Sequence, residues 1–219
     1  TQYDRMLSAK GSDCIIISHS DYLLPTRPRQ QAVKLQEELL GTGEGYESSS
    51  SSNRPYSPEI SFDENMNLFF GGTHVALEHH PGSNLAGIWA ILPEEKVVFV
   101  GDSVMVDQPP FLAYCDPAAW AADLKILASR TYKGYQIVSS RAGVVTQDQV
   151  RVMGKLMTFI QNSIASLREK GADLDTYLAL IPRILKRIEY APAEGELFYN
   201  RLRWGLTTFF ELNQASGAN

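Results

Sequence analysis

The sequence predicts an α/β fold, on three observations. An apolar, β-branched run, Cys14-Ile15-Ile16-Ile17, ends in a small polar cluster, Ser18-His19-Ser20-Asp21-Tyr22. Between Glu59 and Val100 apolar and polar residues alternate, with Gly-Gly and Pro-Glu-Glu-Lys as punctuation. From Pro117 onward the apolar spacing becomes helical.

Taken in order, Gln2 to Ala9 reads as the last turns of a helix closed by Gly11. The run from Cys14 then reads as a strand covered on both faces, delivering His19 and Asp21 to the mouth of a sheet, where α/β proteins place their ligands. Pro25 and Pro28 break regular structure before Gln30 to Leu40, whose apolar Ala32, Val33, Leu35, Leu39 and Leu40 suit an amphipathic helix. Gly41 to Pro58 is a Gly/Ser-rich loop with a serine run, Ser48 to Ser52, serving as a functional flap or as a connection.

Antiparallel hairpins follow: Ile60 to Phe62, Asn67 to Phe70, the Gly71-Gly72 turn, then His74 to His80. Pro81-Gly82-Ser83 leads into a strand from Leu85 to Leu92, and a tight turn returns the chain as Val97 to Val100. That strand ends in Gly101-Asp102, a carboxylate set directly after a buried strand. Pro117 to Ser129 is an amphipathic helix, Gln136 to Val138 a short strand, and Ser139 to Gly143 a loop. Gln147 to Lys170 is a long helix stopped by Gly171, followed by helices over Asp173 to Ile188 and Glu194 to Asn213. Residues 1–146 are expected to form one domain, with 147–219 a helical extension packed on it.

Composition narrows the function. The 219 residues carry a net charge of −5, with 44% hydrophobic and 21% charged residues, ordinary for a globular chain of this size. That balance argues against a nucleic-acid surface, which concentrates Lys and Arg. No apolar run reaches membrane-spanning length and no signal peptide is read, so neither nucleic acid nor membrane is expected as a partner. Cys14 and Cys115 lack a metal-type spacing and read as free thiols in a reducing compartment, hence a cytoplasmic location.

The order strand, His-x-Asp, hairpins, Pro-Gly, then Leu92-Pro93-Glu94-Glu95-Lys96-Val97-Val98-Phe99-Val100-Gly101-Asp102, helix, short strand and Gly-containing loop resembles the metallo-β-lactamase superfamily from about Cys14 to Gly143. The resemblance implies an αββα sandwich with a metal site at one edge of two packed sheets. It also implies several strands ahead of the His motif. Here the first strand already starts at Cys14, so those strands are expected ahead of Thr1 or on another polypeptide, or their place is taken in a homo-oligomer.

Family members hold one or two metals, usually zinc, through His-x-His-x-Asp-His, a His after Pro-Gly, the Asp of Gly-Asp, and a late His. Here the first motif becomes Ile17-Ser18-His19-Ser20-Asp21-Tyr22, which keeps only His19 and Asp21. Ser83 follows Pro81-Gly82, Asp102 is kept, and Arg141 stands at the late His position. The chain has four histidines, fewer than the complete pattern asks for. The remnants His19, Asp21 and Asp102 leave too few ligands at either metal position, since catalytic zinc usually takes three protein ligands.

The expectation is therefore a metallo-β-lactamase-fold protein with a degenerate site and no resident metal, acting as a non-catalytic binding or structural subunit. Arg141 would neutralise Asp21 and Asp102, and Ser83, Tyr22, Asp102 and Arg141 would line a binding pocket for a small molecule. The alternative is a hydrolase of ester, thioester or phosphoester substrates, with zinc or another divalent ion held by a reduced or displaced site that recruits His79 or His80. Asp21 would then accept a proton, with His19 as the other catalytic residue.

Overall fold

Strand boundaries fall where the sequence supplies turn chemistry. In the computed structural model, which describes residues 15–23 and 58–216, β1 (Ile17–His19) pairs in parallel with β2 (Ile60–Phe62). A second, six-stranded sheet holds β3 (Asn65–Phe70), β4 (Thr73–His79), β5 (Ile88–Leu92), β6 (Val97–Phe99), β7 (Gln136–Ser139) and β8 (Gly143–Val145), in that order. Only β6 and β7 in it are parallel. Gly71 and Gly72, with φ of 55° and 90°, make the β3–β4 hairpin, a pair of left-handed positions that suits the twist of the strands.

Helix α1 (Pro117–Leu127) starts where Asp116 accepts from the amides of Ala118 and Ala119 and Pro117 presets the first turn. Helix α2 (Gln147–Glu169) opens on a capping box between Thr146 and Gln149. The segment expected as one helix from Asp173 to Ile188 is two, α3 (Leu174–Leu178) and α4 (Ile181–Leu185), because Pro182 has no amide to continue the first. Helix α5 (Gly195–Ser216) ends the described chain. No helix of the described residues is long and apolar enough to cross a membrane. The expected helices Gln2 to Ala9 and Gln30 to Leu40, Cys14, and the loop up to residue 57 lie outside the described residues.

Alternation then decides the layers. Ile91, Val98, Ile137 and Val145 are directly paired across four strands, so they share one face of the sheet, and all are buried. Together with Trp89 they form a core with Leu124 of α1, Met153 and Ile160 of α2, Ile181 and Ile184 of α4, and Leu202 of α5. The helices after Gln147 thus share one core with the strands before it. Cys115 lies in the same core as a free thiol, and burial together with the Asp116 carboxylate pushes its pKa up, so it stays a neutral side chain.

The other face of the sheet carries Ile88, Ala90, Leu92, Val97, Phe99 and Val144, of which Phe99 and Val144 are exposed. The short β1–β2 pair reaches this face at its His79 end, where the His19 and His79 rings stack. Of the expected four-layer sandwich, the described residues thus form a helical layer, a full sheet and a two-stranded start of the second sheet.

Candidate metal centre

Antiparallel pairing of β4 with β5 and of β5 with β6, and parallel pairing of β6 with β7, make β4, β6 and β7 run in one direction. Their carboxyl ends therefore lie on one edge. The register is Ala76 opposite Ile91, Ile91 opposite Val98, and Val98 opposite Ile137. Three residues further along each parallel strand stand His79, Gly101 and Ser140, level with one another. At roughly 4.8 Å between neighbouring strands, the end of β6 lies about 10 Å from that of β4. His79, Asp102 and Arg141 are thus carried to one mouth by the sheet itself.

The β1–β2 pair brings His19 and Asp21 to the same place. His19 is the last residue of β1 and is buried, while Asp21 lies in the 3₁₀ turn Ser20–Leu23 that follows. One ligand atom from each of His19, Asp21 and His79 lies within 4.8 Å of the others. The two imidazoles stack with centroids 3.5 Å apart and planes inclined by 17°.

Hydrogen bonds fix the tautomers. His19 Nε2 donates to the backbone carbonyl of Asp63, and His79 Nε2 donates to the carbonyl of Leu85 at 2.8 Å. A carbonyl only accepts, so both protons sit on Nε2 and both lone pairs on Nδ1. That is the arrangement of a metal-ligating histidine, whose second nitrogen is tied to a carbonyl or carboxylate. The Asp21 carboxylate lies 3.7 Å from His19 Nδ1, and the Asp21 amide donates to that nitrogen at 3.1 Å. The donor set of two imidazoles and one carboxylate fits zinc or a similar divalent ion, and an ion bound there takes the lone pair that the Asp21 amide now holds.

The remaining candidates lie elsewhere. His80 follows the end of β4 and faces the opposite way from His79, its Nδ1 2.8 Å from Asp123 of α1 and its ring stacked on Trp89. Of the two histidines weighed for recruitment, His79 therefore reaches the mouth and His80 the core. Ser83 lies past the end of β4, in the turn whose first residues are Pro81 and Gly82. The backbone of Tyr22 belongs to the 3₁₀ turn, and its side chain lies outside the described residues.

Asp102 is delivered by Gly101, whose φ of 55° turns the chain sharply after β6. Ser140 Oγ donates to Asp102, and Arg141 Nε donates to the same oxygen at 3.1 Å. The Arg141 guanidinium also lies 4.9 Å from the centre of the Phe111 ring. Among the described residues Asp21 pairs with His19 and not with Arg141, so the single clamp expected over both carboxylates is here a pair with Asp102 alone.

That pair is half exposed, with side-chain accessibilities of 34% and 39%, so water screens it. Removing Arg141 leaves no buried carboxylate behind. Arg141→Ala is expected to change unfolding free energy by less than about 1 kcal/mol, read from urea denaturation, rather than by the several kcal/mol that breaking a buried pair costs.

His79 is the residue that sequence reasoning placed second to Ser83. The signal was available in the alternation Val75, Leu77, His79, which puts His79 on the face away from the core. The Asp63 carbonyl had no signal, because any residue supplies one.

No family model matches the chain, and no curated protein matches its sequence. Solved structures do. The stereoselective inverting sec-alkylsulfatase from Pseudomonas sp. superposes with a TM-score of 0.58 at 12% identity, over 94% of this chain and 38% of that one. A double mutant of the same kind of sulfatase gives 0.62 at 13% identity, over 91% of this chain and 36% of that one. An archaeal metallo-β-lactamase superfamily protein from Sulfolobus tokodaii gives 0.54 at 12% identity, over 95% and 74%. A metallo-β-lactamase family protein from Thermus thermophilus gives 0.53 at 16% identity, over 94% and 68%. The chain thus spans little more than a third of the length of the sulfatases it matches. At these identities the likeness is one of fold: the chain has the metallo-β-lactamase fold.

Proposed function

We propose that this chain carries a single-metal hydrolase centre built from His19, Asp21 and His79. The observation that carries the reading is the convergence of three donor atoms within 4.8 Å, with both Nε2 protons already committed to backbone carbonyls. Three protein ligands is the usual number for a catalytic zinc, which keeps a further position open.

A divalent ion held there would supply Lewis acidity and lower the pKa of a coordinated water. The chain's own groups do the rest. His19 and His79 hold their lone pairs toward the centre through fixed tautomers. Asp21, whose side chain is 42% exposed, has a second carboxylate oxygen with which to accept a proton. Arg141, about 14 Å along the mouth from His79 by strand spacing, offers a guanidinium for an anionic part of a substrate. The substrate class is an ester, thioester or phosphoester, and the fold likeness does not choose among them.

A second reading, a non-catalytic binding or structural subunit, is favoured by one observation. Arg141 holds Asp102, the residue that the resemblance makes a shared metal ligand. The exposed Phe99 and Val144 on the face away from the helices support further polypeptide covering that face, from a partner or a second copy.

Metal content separates the two. Elemental analysis of the purified, undialysed protein, repeated after incubation with excess zinc and desalting, is expected to give about one equivalent. A value below about a tenth of an equivalent both times overturns the hydrolase reading in favour of the non-catalytic one.

A further inference from the structure

We infer that His80 and Asp123 form a positioning dyad that sets the end of β4 so that His79 presents its Nδ1 to His19 and Asp21. The inference rests on reading those three residues as a metal centre. His79 ends β4, and His80 follows it with its amide donating to the Gly87 carbonyl at 2.8 Å; their rings point to opposite sides, so a rotation of the strand end about its axis moves both together. Whatever locks one locks the other.

The fastenings are unequal. His79 is held on the open side, where the hydrogen bond from its Nε2 to Leu85 is exposed. His80 is 8% exposed, stacks on Trp89 with centroids 3.6 Å apart, and contacts Asp123 at 2.8 Å. Asp123 is 6% exposed and belongs to α1, whose Trp120 indole donates to the Ser103 carbonyl at 2.8 Å. The dyad thus ties the strand end to α1, whose Trp120 and Leu124 are packed in the core. The loop beyond closes tightly around it. A Cβ on Gly82 would lie 2.8 Å from Asp123 Oδ2, and one on Gly87 would lie 2.3 Å from the His80 carbonyl oxygen.

The dyad makes a poor device for stability. His80 Nε2 and Asp123 Oδ2 are buried and make no hydrogen bond, and the Glu78 carboxylate stands off at 3.5 Å from His80 Nε2. Burying a charged or polar pair with orphaned atoms costs free energy that an apolar pair of the same volume would not. Its contribution is geometric: it fixes which way the strand end faces.

The test compares wild type with Asp123→Asn, which keeps the volume of the side chain, and His80→Phe, which keeps the stack on Trp89. Ile184→Val, in the core but in α4, serves as a control for general destabilisation. The first readout needs no metal. Stacked imidazoles shift each other's ring-proton NMR signals upfield, and both dyad variants are expected to lose that shift at His19 and His79 while the control keeps it. The second readout is zinc affinity by competition with a chromogenic chelator, expected to weaken about tenfold or more in both dyad variants and to hold in the control. Ring shifts and affinity equal to the control's in both folded variants overturn the inference. If wild type takes up no zinc, the metal reading fails by itself, and the ring shifts still decide the positioning role.

Discussion

Zinc is expected to raise the melting temperature of the wild type, and His79→Ala is expected to abolish that rise. A ligand that binds only the folded state adds RT ln(1 + [L]/Kd), about 2.7 kcal/mol at a hundredfold excess over Kd. For a chain of this size that corresponds to about 5–10 °C. Alanine at residue 79 leaves His19 and Asp21, two donors on a three-residue stretch, and two protein ligands do not make a catalytic zinc site. It also removes the ring on which His19 stacks, so His19 loses the contact that holds its plane. His19→Ala should have the same effect on the zinc response. Ser83→Ala should leave it unchanged, because Ser83 lies past the end of β4. Differential scanning calorimetry with and without zinc reads all three variants. A zinc response in His79→Ala as large as in wild type would place the ion elsewhere.

The reason His79 was legible only in part lies in what a motif can specify. Matching the Pro-Gly of the family pattern onto Pro81-Gly82 makes Ser83 the presented residue, because a motif counts residues forward from a turn. The sheet counts differently. Pairing of His79 with Ile88, and of Glu78 with Trp89, decides which side chains face β1 and which face α1. Period-two alternation carries that information locally, but the face that meets β1 is fixed only by where the β1–β2 pair packs, a long-range fact.

The same limit separates other residues. Asp102 was readable because Gly-Asp after an apolar strand sets a carboxylate at the sheet mouth whatever the tertiary context. The partner of Arg141 was half readable. Its chemistry called for a carboxylate, and the spacing of strands β6 and β7 makes that Asp102, while Asp21 sits in the turn after β1, beside His19. The split of Asp173 to Ile188 into two helices was in the sequence as Pro182, a residue that the helical spacing of its neighbours masked.

Trp120→Ala is expected to produce the largest loss of stability of any substitution considered, about 3–5 kcal/mol, from urea denaturation with an unchanged m-value. Trp120 is fully buried, and its side chain lies between α1 and the turn after β6. Removing it leaves a cavity and also orphans the Ser103 carbonyl that its indole now satisfies. Trp120→Phe separates the two causes, since it restores most of the volume and none of the hydrogen bond, and should cost about 1–3 kcal/mol. The consequence extends to the mouth. A second indole, that of Trp89, donates to the Ser103 hydroxyl at 3.1 Å, so the turn carrying Asp102 is pinned at two atoms of one residue from the core side. Ser139 Oγ donates to the Val104 carbonyl at 2.6 Å and draws the end of β7, with Arg141, onto the same turn. Loosening the turn by Trp120→Phe should therefore weaken the Arg141–Asp102 pair, while His19, held through Asp63 and the stack on His79, keeps its place. A zinc affinity of Trp120→Phe close to that of wild type, alongside reduced stability, is the expected separation. An affinity loss as large as that of His79→Ala would mean that the Asp102 turn and the three-residue centre form one mechanical unit.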